Sequence, residues 1–200
     1  MGKEDQAGST EEIFAAAIPN VAAMRGAINQ SLASSDVNAI AVGNQAIIAK
    51  KKRKILYKNG YTLPRAAEEL MAEAQSDIDH SRKLGRNLRR ADPTLVRPQE
   101  TDTHHVVAAE AAAARPARVL IFAVGIGIND ADNGVILPRF KRTRIASMPN
   151  ASPHQHIHTQ TYHANVVAEL YGADDIADGQ EVRGILRSIS GRLVRGQFRF

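Results

Sequence analysis

The sequence predicts an α+β protein, helix-rich overall, with a helical N-terminal region over residues 1–92 and a mixed domain over residues 93–200. Three observations carry this. Apolar residues recur at helical spacing up to about residue 90. Asp92-Pro93 and Arg97-Pro98 then punctuate the chain like a linker. Beyond residue 100 the texture changes to Thr- and Val-rich segments separated by turn chemistry.

Taken in order, Ser9-Thr10-Glu11-Glu12 is a capping box ahead of Ile13–Ala17, and Pro19 breaks that helix early. Asp36 caps a second helix through Ile40, Val42, Ile47 and Ile48, which ends in a basic run and stops at Asn59-Gly60. Pro64 suits a first helical turn, and Ala66, Leu70, Met71, Ala74 and Ile78 continue a third helix to about Arg90. Thr101–Val107 reads as a strand, and Ala108–Leu120 as a helix despite Pro116. Asn129–Gly134 is turn chemistry, and Val135-Ile136-Leu137 is a strand ended by Pro138. Ser152-Pro153 opens a helix through about Tyr171. Asp178-Gly179-Gln180-Glu181 caps a last helix carrying Val182, Ile185, Leu186, Ile189 and Leu193.

Composition excludes several classes. There is no cysteine, which removes disulfide scaffolds, thiolate metal sites and thiol nucleophiles, so any metal must be held by His, Asp, Glu or Asn. The net charge of +5 permits a polyanionic partner. Aromatic residues are 4% of the chain and Trp is absent, too few for a base-stacking platform; contact with nucleic acid would fall on phosphates. The longest uncharged runs, Val37–Ala49 and Val119–Asn129, are shorter than the ~20 residues of a spanning helix, so no membrane partner is expected. The opening Met1-Gly2-Lys3-Glu4-Asp5-Gln6 lacks a secretory leader pattern. The expected location is cytoplasmic where the chain is made, with any export independent of a cleaved signal.

The histidines direct the functional reading. Six of the seven fall between residues 104 and 163. His104-His105 ends a strand, and His154-x-x-x-His158 opens a helix, where one turn puts both rings on one face. His156 and His163 point elsewhere by helical phase. Neutral imidazole is a good ligand for divalent metals, and its unperturbed pKa suits a general base. Neighbours on a regular strand face opposite ways, so His104 and His105 share one site only if the strand ends or distorts there.

In this order, Asp102-Thr103-His104-His105-Val106-Val107, Asn129–Pro138 and His158-Thr159-x-x-Tyr162-x-x-x-Val166 resemble the AHH family. That is a branch of the HNH/endonuclease VII nucleases found among polymorphic bacterial toxins. The similarity spans roughly residues 84–196, and departs at Thr103, where the family carries the alanine of its name. The resemblance implies a ββα-metal (HNH-like) nuclease domain with one divalent ion, Mg²⁺ or Zn²⁺. It implies His105 as the general base, Asn133 as the residue orienting it, and His104, His154 and His158 as metal ligands. It also implies DNA as substrate and, for a toxin, a small acidic immunity protein as partner.

Arg139, Lys141, Arg142 and Arg144 form an acid-free segment between the second strand and the metal helix, which makes them candidates for phosphate contact. For Lys50–Lys54 two readings stand open: DNA contact, or a solvated helix end where cations are favourable anyway. Two other functions fit the same residues. One is a basic, non-enzymatic nucleic-acid-binding protein with a structural His-bound metal; the other is a phage or housekeeping nuclease without a toxin role.

Overall fold

An Asn-Gly pair shapes the first element of the described residues. Asn59 and Gly60 both have positive φ, 51° and 85°. This is the geometry that joins two twisted strands through a two-residue turn. They connect β1 (Tyr57–Lys58) to β2 (Tyr61–Thr62), so the pair expected to stop a helix makes a hairpin instead. A Cβ on Gly60 would meet the Asn87 carbonyl oxygen at 2.2 Å, so only glycine fits. The computed structural model describes residues 54–172 and 179–200. The Ser9–Glu12 capping box, the helix expected after Asp36, Lys50–Arg53 and Asp178 lie outside the described residues.

The single helix expected from Pro64 to Arg90 is two. α1 spans Ala67–Ala74, and α2 spans His80–Ala91. Side chains that compete with the helical backbone cause the break. The Ser76 hydroxyl donates to the Glu73 carbonyl at 2.6 Å, and Asp79 caps α2 by accepting from the Arg82 N–H at 2.8 Å. α2 buries His80, Leu84 and Asn87, one stripe at helical spacing.

That stripe lies against the second hairpin. β3 (Thr101–His105) pairs antiparallel with β4 (Gly134–Pro138), Thr101 opposite Pro138 and His105 opposite Gly134. A Cβ at Gly134 would meet Leu84 Cδ1 at 2.7 Å, and one at Gly85 would meet Thr103 Oγ1 at 3.0 Å; helix and strands are that close. Residues 54–200 are one compact unit, so Asp92-Pro93 and Arg97-Pro98 punctuate a loop within it and the boundary expected near residue 92 falls inside.

Between the strands, α3 spans Arg115–Ala123, preceded by a 3₁₀ turn at Ala112–Ala114. The helix expected from Ala108 starts here because Pro116 lacks an N–H and fits only a first turn. A second 3₁₀ turn, Ala131–Asn133, leads into β4. After β4, a third occupies His154–His156, and α4 spans Gln160–Tyr171. The helix expected from Ser152 begins instead after Thr159, whose hydroxyl caps it by accepting from the Tyr162 N–H at 3.0 Å. The last helix, α5 (Gly179–Val194), buries Val182, Leu186, Ile189 and Leu193 along one face. These pack with Leu137, Ile121, Phe122, Tyr162 and Leu170 in the core.

Buried charge ties α5 to the turn before β4. Asp130 is fully buried and accepts from Thr62 N–H at 2.7 Å, Thr62 Oγ1 at 2.6 Å, and Arg183 Nη1 and Nη2 at 2.8 and 3.0 Å. Asp132 accepts from Arg183 Nη1 at 2.7 Å and Arg187 Nη1 at 3.1 Å. Removing one partner of a buried pair strands the other charge, at a cost of about 3–5 kcal/mol. Arg183→Ala is expected to lose that much stability. Arg187→Ala, at a side chain 56% exposed, should lose about 1 kcal/mol or less. Urea unfolding of the two variants checks this; equal losses would contradict the assignment of Arg183 as the buried clamp.

Candidate metal and catalytic site

Strand alternation sorts the residues at the end of β3. Asp102 and His104 share one face, and Thr103 and His105 share the other. On the first face, His104 is buried, with its ring centroid 5.2 Å from that of His154 and 5.1 Å from that of His158. One ring nitrogen from each of the three lies within 4.8 Å of the others. Burial, and next the neighbouring His154 and His158, push the His104 pKa well below its ordinary value; burial also lowers those of His154 and His158. The three rings are thus held neutral, the form that ligates metal.

Proton counting shows which nitrogen of His104 is available. The Tyr162 hydroxyl has one proton and donates it to the Val106 carbonyl at 2.9 Å. Burial raises the Tyr162 pKa, so the phenol keeps that proton. Its oxygen, 2.8 Å from His104 Nε2, therefore accepts from Nε2–H. His104 Nδ1 is left with a lone pair, buried and without a hydrogen-bond partner. Such an orphaned group costs about 1–3 kcal/mol, and a cation satisfies it. His154 and His158 approach Nε2 to Nε2 at 3.1 Å, a separation that requires a proton or a cation between them. Asp102 Oδ2 lies 3.5 Å from His154 Nδ1, where a carboxylate favours Nδ1–H and leaves Nε2 basic. The donor set fits a divalent metal.

The expected helical i, i+4 relation of His154 and His158 is made differently. His154 sits in the 3₁₀ turn and His158 in the break before α4, yet the rings meet. His156 is exposed beside Gln155, and His163 is buried on the far side of Tyr162; neither joins the cluster.

His105 occupies the other face. It is buried and closes β3 opposite Gly134, with its Nε2 3.2 Å from Asn129 Oδ1. Burial lowers its pKa to about 4, against the Asn129 hydrogen bond and with help from His80, His154 and His158. β3 ends at His105, so the alternation that points His104 and His105 apart stops there, and both remain within electrostatic reach of His154 and His158.

Asn133 is not the residue that orients His105. Its Oδ1 accepts from the Val107 N–H at 2.7 Å, and its Nδ2 donates to the Val107 and Ile128 carbonyls at 3.1 and 2.8 Å. Lying just before β4, it extends the strand pairing past His105 by binding backbone, and both amide protons are used. The contact to His105 belongs to Asn129. Arg139 also departs from expectation, because its Nε and Nη2 grip the Asp102 carboxylate at 3.0–3.1 Å. Lys141, Arg142 and Arg144 are exposed, and Arg142 lies over the Phe140 ring. Phe140, Lys141, Arg142 and Gln155 line a shallow open groove next to His154.

Residues 85–191 match the model of AHH, a nuclease family of the HNH/ENDO VII superfamily with conserved AHH. The chain belongs to this family. It is a nuclease, and its helices and two small sheets agree with the α+β, HNH-like fold of that superfamily. No curated protein and no solved structure matches the chain. The matched residues take in Thr103-His104-His105, Asn129, Asn133, His154, His158 and Tyr162.

Sequence reasoning missed Asn129, Asp102 and Tyr162 as site residues. Period two in β3 was the available signal for Asp102, which shares the face of His104. If Tyr162 sets the His104 tautomer, Tyr162→Phe is expected to weaken Zn²⁺ binding about 10–100-fold, the usual loss for the partner of a metal-binding histidine. Competition against a chromophoric chelator measures this; unchanged affinity would show that the tautomer is set elsewhere.

Proposed function

We propose that this nuclease hydrolyses DNA phosphodiester bonds as a metal-dependent endonuclease, with one divalent ion held by His104, His154 and His158. The observation that carries the reading is the uncommitted lone pair of buried His104 Nδ1 beside two further imidazoles. An all-nitrogen donor set favours Zn²⁺ over Mg²⁺, which prefers oxygen ligands. A bound ion would supply positive charge to stabilise the developing phosphorane and the departing 3′ oxygen. Three protein ligands with His158 exposed suit an open catalytic position; a closed structural site has four, which argues against the non-enzymatic alternative.

His105, neutral at physiological pH, removes a proton from the attacking water, and Asn129 keeps its ring from rotating. Lys141, Arg142 and Arg144 contact phosphates and position the duplex without transferring protons. Arg139 acts through Asp102, holding its carboxylate against His154. The resemblance to polymorphic-toxin nucleases supports an antibacterial toxin acting in the cytoplasm of a target cell. A small acidic immunity protein complements the chain's +5 charge.

Plasmid cleavage by the purified protein tests the reaction. The wild type should nick or degrade DNA, and a chelator should abolish this. His105→Ala should lose about 10²–10⁴ in rate while still binding one metal. A wild-type protein inert with Zn²⁺, Mn²⁺, Mg²⁺ and Ni²⁺ alike would overturn the proposal, and degradation of RNA with plasmid intact would move the substrate to RNA.

A further inference from the structure

α2 reaches Asn129 with two side chains, and the first of them, His80, stands ahead of the family match, which begins at residue 85. His80, on its first turn, is buried and lies 49 residues from Asn129 in sequence. Its Nε2 is 3.3 Å from the Ser76 carbonyl oxygen, which only accepts, so Nε2 carries the proton. Nδ1 of the neutral ring is then an acceptor; it lies 3.1 Å from Asn129 Nδ2 and 3.3 Å from Asn129 Oδ1, and as an acceptor it takes the Nδ2–H. With the Asn129 amide donating to His80, its Oδ1 faces His105 and accepts from Nε2–H at 3.2 Å. Two turns along the same inner face, Asn87 Nδ2 donates to the Asn129 main-chain carbonyl at 2.7 Å. One helix therefore fixes both the backbone and the amide orientation of Asn129. His105 Nδ1 makes no hydrogen bond among the described residues.

We propose that His80 is a positioning residue: through Asn129 it holds His105 as the Nε2–H tautomer and leaves Nδ1 as the nitrogen that takes the proton from water. The inference rests on His105 being the base of the proposed reaction. Without an acceptor at His80, the Asn129 amide has no reason to prefer one orientation, and a flipped amide would present N–H to His105 and reverse its tautomer. The effect is on the proton map of a buried chain of four groups, Ser76, His80, Asn129 and His105.

The test reads tautomers directly, by long-range nitrogen-15 NMR of the imidazoles at a pH where they are neutral. In wild type, His105 and His80 should both be Nε2–H. In His80→Phe, which keeps ring bulk and removes both nitrogens, His105 should become a tautomer mixture. kcat should fall about 10–100-fold with KM and Zn²⁺ affinity unchanged, and His80→Gln, whose carbonyl accepts from Asn129, should restore most of it. If His80→Phe does not fold, Asn129→Asp decides. It offers only acceptors, so His80 should gain a proton at Nδ1 while keeping Nε2–H, and His105 should stay protonated at Nε2. An Nδ1–H His105 in wild type, a His105 tautomer indifferent to His80→Phe, or a His80 Nδ1 without a proton in Asn129→Asp would each overturn the relay. Tautomers as stated in a wild-type protein without nuclease activity would overturn the proposed reaction alone.

Discussion

A single phenolic proton organises the metal side of this nuclease. Tyr162 on α4 gives it to the Val106 carbonyl just beyond β3, so the same oxygen must accept from His104. That one constraint locks the rotation of the His104 ring, selects its tautomer and leaves the Nδ1 lone pair free. It also joins α4 to the strand, because both partners of Tyr162 lie at the end of β3. Tyr162 is itself fully buried against Phe198 and the core, so packing energy holds the hydrogen bonds in register. The arrangement leaves Nδ1 of His104 costly when empty and satisfied when filled.

The β3 strand then separates two tasks by its pleat. One face carries His104 and Asp102 toward His154 and His158, and the opposite face carries His105 toward Asn129 and α2. Both faces depend on the turn from Asn129 to Asn133 being held rigidly, and that rigidity comes from the second half of the molecule. Arg183 on α5 neutralises Asp130 and Asp132, and Asp130 in turn binds Thr62 of the first hairpin. The buried ion pairs lie well away from the histidine cluster in sequence, yet they set where Asn129 and Asn133 stand.

Much of this was legible in the sequence, and the exceptions have physical reasons. The strands expected at 101–107 and 135–137, found at 101–105 and 134–138, and the face of α5 follow from local pattern, whereas the grouping of His104 with His154 and His158 came from the family resemblance. Element starts were harder, because capping by Asp79 and Thr159 overrides helical periodicity that runs straight through both positions. Asn133 and Asn129 are four residues apart in one turn, and only the fold reveals which amide meets the imidazole and which meets backbone. Arg139 looked like a free phosphate ligand because its partner Asp102 is 37 residues away and pairs with it only once the hairpin forms. His80 had no signal of its own: an isolated histidine at a helix start says nothing until α2 is laid on β3.

The proposed centre is one metal ion on three imidazole nitrogens. X-ray absorption at the zinc edge of the zinc-loaded protein tests it most directly. The expected result is one zinc per chain with three histidine nitrogens at about 2.0–2.1 Å, one of which disappears in His104→Ala. Zinc that does not load stoichiometrically, or a first shell made of oxygen alone, would contradict it.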